Sequence, residues 1–171
     1  MSRKISTPLT IFTLLAITAC GGTTEPSELP EHPGEAGRLT LEGIDMDLDG
    51  VRDDVQIHIH EQNHDLPDVI APLLHMAKYR QQAIIDYDDD GVLEESYLDT
   101  HLHTMECIKL IDPAGYGKRI TLLEQATLNT GERWKTALRL DAAIASGQAI
   151  ARPSVTVLDC QDVMSIPASD K

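Results

Sequence analysis

The stretch Asp45-Met46-Asp47-Leu48-Asp49-Gly50-Val51-Arg52-Asp53-Asp54-Val55 guides the interpretation of the whole chain. Three carboxylates alternate with apolar residues, and Gly50 follows the third of them directly. A hard dication takes about six to eight oxygen ligands, so alternating carboxylates can converge on one ion while a glycine allows a sharp turn around it. The stretch therefore predicts a cation-binding loop at the start of the folded domain.

The same stretch resembles the calcium loop of EF-hand proteins. The resemblance implies that the ion is calcium and that its ligands are Asp45, Asp47, Asp49, the backbone carbonyl of Val51, and Asp53. EF-hands close the site with a bidentate glutamate, and this chain has Gln56 at that position. The resemblance therefore implies a weaker site, or one in which Asp54 or a distant carboxylate takes the closing role. Similar aspartate loops occur in dockerins and in thrombospondin type 3 repeats.

The alternative interpretation is an acidic surface turn that holds no ion. Five aspartates lie within residues 45–54. Carboxylates this close to one another repel unless a cation neutralises them. The charge density therefore favours a calcium loop over an empty turn.

A second acidic stretch, Asp86-Tyr87-Asp88-Asp89-Asp90-Gly91-Val92-Leu93-Glu94, follows the same pattern. Its ligands would be Asp86, Asp88, Asp90 and Glu94. Tyr97 stands where the closing glutamate is expected. Because the stretch separates two predicted helices, as an EF-hand loop does, we expect either a second, weaker calcium loop or an acidic turn between helices.

The N-terminus has the features of an export signal. Two basic residues precede a largely apolar run that is too short to span a bilayer comfortably. The run ends Leu15-Ala16-Ile17-Thr18-Ala19-Cys20, which resembles a bacterial lipobox. That resemblance implies removal of residues 1–19 as a signal peptide and acylation of Cys20. Because Gly21 and not aspartate follows, it also implies an outer-membrane lipoprotein that faces the periplasm or the cell surface. An ordinary secretory signal with a coincidental cysteine is the alternative.

Helical periodicity dominates the rest of the chain. Residues 20–38 are rich in proline, glycine and polar residues, so we expect a flexible tether without fixed structure. The folded domain is predicted at residues 39–165, with a disordered tail at 166–171. Apolar spacing predicts helices at 55–61, 68–86, 92–111, 120–128 and 132–146, although the first segment also alternates like a strand. One side of the last helix carries Trp134, Leu138, Ala142 and Ala145. These elements predict an all-α bundle.

Composition limits the possible functions. The chain has 171 residues, enough for one domain with a core, and only 4% are aromatic, so aliphatic residues and methionine must fill that core. The formal net charge of −14 argues against binding to nucleic acid or to an anionic membrane surface, and it attracts cations. The expected partners are the membrane, reached through the lipid anchor, and an unknown envelope protein or ligand.

Two cysteines remain after Cys20, namely Cys107 in a predicted helix and Cys160 in the tail. In an oxidising periplasm two such cysteines most simply form a disulfide, which would attach the tail to the bundle. The alternative is a pair of buried free thiols.

The sequence His60-Glu61-Gln62-Asn63-His64 matches the H-E-x-x-H pattern of zinc hydrolases. On a helix the two histidines would share a face and bind zinc, with Glu61 as general base and a third ligand from Glu94 or Glu95. Pro67 follows closely, so we expect a short helix that does not support this arrangement. A periplasmic metal-handling site is a further alternative, with ligands drawn from His58, His60, His64, His101 and His103.

Residues 43–59, read with the lipobox and the proline-rich segment, resemble an uncharacterised family of secreted bacterial lipoproteins with a DxDxDGVRDDV calcium loop. The later RWKTALRLDAAIASGQ segment and Cys160 fit the same family. The resemblance implies export and a helical body, and it implies no reaction. We therefore expect an outer-membrane lipoprotein whose calcium-stabilised domain is a binding or structural module, and we do not expect an enzyme.

Overall fold

The computed structural model describes residues 29–91, 96–147 and 160–164. The predicted signal peptide, Cys20, Glu94, Glu95 and the tail at 166–171 lie outside these ranges. The α-helices are α1 (Asp53–Gln62), α2 (Ile70–Asp90), α3 (Ser96–Ile111), α4 (Tyr116–Thr127), α5 (Gly131–Gly147) and α6 (Gln161–Met164). Two 3-10 helices are formed by Gly34–Arg38 and Pro67–Val69. The described ranges contain no strand, and the predicted all-α class is confirmed.

Helix α1 settles the ambiguity between helix and strand that follows the acidic loop. Val55 and Ile59 are each 1% exposed, whereas Ile57 is only partly buried. Residues four apart share one face of a helix, while a strand would have turned all three side chains the same way. The carboxylates of Asp53 and Asp54 stand in the first turn, where the helix dipole favours negative charge.

Helix α2 is the central element of the bundle. It packs against α1, α3, α4, α5 and α6. It continues to Asp90, four residues beyond the predicted end at 86, and Gly91 terminates it in the left-handed conformation with φ 73°. The Gly91 N–H donates to the Tyr87 carbonyl at 3.0 Å, a capping bond of the kind that glycine supports after a helix. The aspartates before Gly91 therefore belong to the helix.

The core forms two clusters along α2. The first lies between α2, α1, α4 and part of α3, and its buried members are Val51, Val55, Ile59, Val69, Leu73, Leu74, Met76, Ala77, Ile108 and Leu123. The second joins α2, α3 and α5 through Ala83, Ile84, Tyr97, Ala137 and Leu140. The first cluster includes Val51, so the acidic loop is joined directly to the core.

The side of helix α5 that carries Trp134 and Leu138 faces solvent, and a different side packs against the core. Trp134 is 54% exposed and Leu138 is 50% exposed. The buried side carries Arg133, Thr136 and Leu140, each at most 1% exposed. Hydrogen bonding explains the orientation, because Arg133 reaches three backbone carbonyl oxygens from this side.

The predicted disulfide is confirmed. Cys107 of α3 is joined to Cys160, just before α6, across a sequence separation of 53 residues. Both cysteines are buried, and they pack with Val163. Closing a loop of this length contributes about 4 kcal/mol in the chain-entropy description.

The folded part begins before residue 39, so the prediction of a structureless tether through residue 38 is wrong for its last part. Gly34–Arg38 forms a 3-10 helix in which Gly37 is buried. The Arg133 Nη2 group donates to the Gly37 carbonyl at 2.7 Å, and the Arg38 Nη2 group donates to the Asn129 carbonyl at 3.0 Å. These contacts come from residues more than ninety positions away, so the local composition gave no sign of them.

Two buried arginines hold the segments on either side of the acidic loop. Arg52 and Arg133 are each 1% exposed. Arg52 binds both carboxylate oxygens of Asp54, at 2.9 and 3.0 Å, and also the Thr127 carbonyl at 2.9 Å. Arg133 donates to the carbonyls of Leu41, Gly37 and Thr40 and to Asn129 Oδ1, at 2.6 to 3.0 Å. The chain before the loop and the chain after it are therefore both attached to the junction of α4 and α5.

Replacing Arg133 with methionine should lower the free energy of unfolding by about 3–5 kcal/mol, because the carbonyls of Gly37, Thr40 and Leu41 lose a charged donor that is itself 1% exposed. Urea denaturation followed by circular dichroism measures the change. Arg139→Met is the matched control, since that side chain is 53% exposed and forms a surface ion pair with Asp88. It should cost at most about 1 kcal/mol. Equal losses in the two variants would contradict a clamping role for Arg133.

Candidate metal centre

Asp45, Asp47 and Asp49 converge as their alternation predicts. Each contributes one carboxylate oxygen, and these three oxygens all lie within 4.8 Å of one another. Carboxylate oxygens at this separation can contact one cation together. Among the described residues, this is the group of three or more metal-ligating side chains that the structure assembles.

The backbone of the loop is folded onto the same carboxylates. The Gly50 N–H donates to Asp45 Oδ2 at 2.9 Å, and the Val51 N–H donates to Asp49 Oδ1 at 2.7 Å. The Asp49 N–H donates to Asp47 Oδ1 at 3.3 Å. One oxygen of each carboxylate thus accepts a backbone hydrogen bond that shapes the loop, as in Asx turns. The same hydrogen bonds fix the orientation of the second oxygen.

Gly50 is required by its backbone conformation, and it packs against the end of the Lys78 side chain. Its φ of 89° lies in the left-handed region, and a Cβ atom here would lie 2.7 Å from Lys78 Cε. Lys78 of α2 crosses this position to donate from Nζ to the Asp49 carbonyl at 2.8 Å. Sequence reasoning missed Lys78, because a residue 29 positions away leaves no trace in the loop motif.

Gln56 closes the loop at the position where the sequence indicated a missing ligand. The residue is 6% exposed, and its Nε2 group donates to Asp49 Oδ2 at 3.1 Å and to Asp47 Oδ2 at 3.3 Å. Its Oε1 atom and Asp45 Oδ1 are buried without a hydrogen-bond partner. The oxygen and nitrogen of a glutamine amide have nearly the same shape, so a half-turn of this amide places Oε1 where Nε2 now stands. Gln56 can therefore donate to the carboxylates without a cation and present an oxygen to a cation.

The structure does not bring Asp53 or Asp54 into the group, although both were predicted as ligands. Asp53 is fully buried, and its Oδ1 accepts the Met46 N–H at 2.9 Å. Asp54 is engaged by Arg52 and by Asn129 Nδ2, the latter at 2.7 Å. Burial opposes ionisation of Asp54, but these donors outweigh it and hold the pKa of that carboxyl below its usual value. Asp54 is thus the ion-pair partner of the buried Arg52. Metal binding by the backbone carbonyl of Val51 stays a prediction.

The environment disfavours negative charge in the loop. Burial is the main cause that raises the pKa of Asp45. The hydrogen bond from the Gly50 N–H partly counteracts this increase, and the neighbouring Asp47 carboxylate adds to it. Burial also raises the pKa of Asp49, and the charges of Asp47 and Asp45 add to it. Ionised carboxylates therefore cost free energy here, and a dication would offset that cost.

The second acidic segment is not a loop, and the prediction of a loop conformation there is wrong. Asp86, Asp88 and Asp90 lie in the last turns of α2. Positions 86 and 88 differ by roughly 200° around a helix, so these carboxylates point to opposite sides. Asp86 accepts a hydrogen bond from Gln82 Nε2 at 2.7 Å, and Asp88 pairs with Arg139. The side chain of Asp90 and the whole of Glu94 lie outside the described residues.

The H-E-x-x-H sequence marks the end of a helix. Helix α1 ends at Gln62, and His64 lies beyond it with Nδ1 2.9 Å from the Glu61 carbonyl. The two histidines therefore do not share a helix face, which is the geometry that the zinc motif needs. In the part of the chain that the structure describes, neither His60 nor His64 belongs to a group of three metal-ligating residues.

The other histidines give no support to a metal-handling site. Burial and, to a lesser degree, the charge of Arg80 lower the pKa of His101 to about 4, so its ring is neutral at physiological pH, the form that binds metals. Among the residues that the structure describes, however, His101 belongs to no group of three metal-ligating residues. His75, which the sequence did not single out, has Nδ1 3.0 Å from Thr104 Oγ1. Within the described ranges, no histidine joins the acidic group.

Comparisons with known proteins leave the family open. No known protein family matches the chain, and neither a curated protein nor a solved structure shows significant similarity to it. Within the described ranges, no helix has both the length and the apolar composition needed to cross a membrane. The resemblances drawn from the sequence therefore stay predictions.

Without divalent cations at neutral pH, Asp49→Asn should raise the melting temperature. Asparagine keeps an Oδ1 acceptor for the Val51 N–H and removes a charge that burial disfavours. Its Nδ2 group replaces the oxygen that accepts from Gln56, but it can donate to Gln56 Oε1 once that amide turns. Because the folded-state pKa of Asp49 is raised, stability from its protonated form is present at low pH and is lost as the pH rises through that pKa. The difference between variant and wild type should therefore shrink as the pH falls toward about 4.

Thermal melts in EDTA across this pH range measure the effect. Glu61→Gln is the control, since Glu61 is exposed at the end of α1, and it should change stability by no more than about 0.5 kcal/mol. A lower melting temperature for Asp49→Asn than for wild type at neutral pH would contradict the assigned electrostatics.

Proposed function

We propose that this protein is an outer-membrane-anchored lipoprotein whose helical domain is stabilised by calcium in the loop of Asp45, Asp47 and Asp49, and that the domain is a binding or structural module at the cell envelope. The observation that carries the calcium assignment is the carboxylate triad, closed by a buried glutamine amide with an unpartnered oxygen.

The donor set supports calcium as the ion. The groups around the triad are carboxylates and an amide, so every available ligand is an oxygen. Hard oxygen ligands suit calcium and magnesium, while zinc is typically held with imidazole or thiolate groups. Calcium accepts irregular geometry and variable ligand number, which fits a loop with three carboxylates and one amide.

The position of the loop supports a structural role. The Asp53 N–H donates to the Ile44 carbonyl at 2.9 Å, which closes the loop just before α1. Lys78 joins the loop to α2, the helix at the centre of the bundle. A cation held here would add a further connection between the entry of the chain into the domain and the start of α1. Its binding free energy would then appear as added folding stability.

Calcium at about 10 mM should raise the melting temperature by about 5–10 °C, as expected for an affinity in the range of about 0.1–1 mM typical of extracellular sites. Gln56→Glu supplies a carboxylate at the closing position, so it should bind calcium about tenfold more tightly than wild type. Gln62→Glu adds the same charge at an exposed position at the end of α1 and should leave calcium affinity unchanged. Isothermal titration calorimetry with thermal melts measures both quantities. The calcium assignment would be contradicted if neither heat nor a melting shift appeared at about 10 mM.

The lipid anchor rests on the lipobox resemblance at residues 15–20. Expressed in a Gram-negative host, the full chain should fractionate with outer membranes and incorporate labelled fatty acid. Cys20→Ser should abolish the labelling and release the exported protein from the membrane, because acyl chains supply the binding. Membrane retention of the unlabelled variant would contradict lipid anchoring and would leave the calcium assignment untouched.

A further inference from the structure

A cavity of about 210 Å³ lies beside the acidic loop, along one side of α2. It is lined by Gly50, Lys78, Tyr79, Gln82, Asp86 and Tyr97. Its volume equals about seven water molecules at liquid density, so it suits a small organic molecule. Gly50 of the acidic loop and Tyr97 of the second core cluster form part of its lining, whereas the carboxylate triad does not line it.

The two ends of the cavity carry opposite charges. Lys78 and Asp86 are eight positions apart on α2, which places their backbones about 12 Å apart along the helix axis. The Lys78 ammonium already donates to the Asp49 carbonyl and keeps further N–H groups. The Asp86 carboxylate accepts a hydrogen bond from Gln82 through Oδ1, and a carboxylate has further acceptor positions. Each end therefore retains capacity for a ligand group of the opposite charge.

Two tyrosines also line the cavity. Tyr79 is partly buried, and Tyr97 is 4% exposed with its hydroxyl 3.2 Å from Arg80 Nη1. Aromatic rings beside a carboxylate favour an ammonium group that carries an apolar chain. The chain as a whole has a net charge of −14, which adds a field that attracts cations.

We propose that this cavity binds a small primary amine of the ω-amino acid type. The ammonium group pairs with Asp86, the alkyl chain lies against the tyrosines, and the carboxylate pairs with Lys78. This site shares Gly50 and Lys78 with the surroundings of the calcium loop, but its ligand occupies a different space from the cation, so the two proposals can fail separately.

Calorimetric titration in EDTA with three probes of equal chain length tests the proposal. The zwitterion 6-aminohexanoate should bind more tightly than hexylamine, and hexylamine more tightly than hexanoate. The order follows from the charge at each end of the cavity. If hexanoate binds as well as 6-aminohexanoate, or if none of the three binds, the proposal is overturned.

Variants identify the groups responsible. Asp86→Asn should weaken 6-aminohexanoate and hexylamine at least about tenfold, as expected for loss of a charge-assisted pair. Asp89→Asn is the matched control, because Asp89 is exposed on the same turns of α2 and does not line the cavity. Lys78→Met should reduce 6-aminohexanoate to the affinity of hexylamine and leave hexylamine unchanged. Equal affinities in Asp86→Asn and wild type would also overturn the assignment.

Discussion

The burial of two guanidinium groups, those of Arg52 and Arg133, is the constraint on which the rest of this structure depends. Burying a charge is costly unless hydrogen bonds replace its hydration, and both groups meet this condition with oxygens near the junction of α4 and α5. Burial, reinforced by the charge of Arg52, lowers the pKa of Arg133 to about 10, which still leaves it protonated at neutral pH. Gly43 lies between them, and a Cβ atom there would be 2.5 Å from Arg52 Cδ and 2.8 Å from Arg133 Nη2.

Arg52 and Arg133, together with the oxygens that they bind, form a clamp that holds the acidic loop in one conformation. Both ends of the acidic loop are attached to the same part of the bundle, so the loop does not need to become ordered when an ion binds. The carboxylates are held together despite their mutual repulsion, and the cost of that repulsion is met by packing elsewhere. A preorganised site of this kind loses little binding free energy to ordering. The hydrogen bonds of Arg52 and Arg133 thus hold both ends of the loop rigidly, while the carboxylates within the loop repel one another.

The sequence predicted the parts of the structure that depend on local pattern. Helical periodicity identified the all-α class, the alternation of Asp45, Asp47 and Asp49 identified the carboxylate group, and the cysteine count identified the disulfide. The same local pattern at Asp86 and Asp88 failed. There the ion pair between Asp88 and Arg139 and the cap at Gly91 extend the helix. An aspartate-rich segment therefore adopts the conformation that its distant partners permit.

Other features depend on contacts that no local pattern records. Arginine is usually found at the surface, yet Arg133 is buried because it donates hydrogen bonds to carbonyls of residues 37–41. Trp134, its neighbour, is exposed for the same reason. Gln56 was counted as a missing ligand because the motif expects glutamate, although an amide oxygen serves the same cation chemistry. The cavity lining joins the loop, α2 and α3, and only the fold brings these together.

The most direct test of the central claim is a calcium titration followed by two-dimensional ¹H–¹⁵N NMR. Saturable shifts are expected in the backbone amides of residues 45–51 and in the Gln56 side-chain amide, whose protons lose their carboxylate acceptors when the oxygen turns to the ion. Signals from α3 and α5 should stay in place, because the clamp holds the loop before the ion binds. Fixed loop signals at about 10 mM calcium, or shifts confined to residues 86–91, would contradict calcium binding by the loop of Asp45, Asp47 and Asp49.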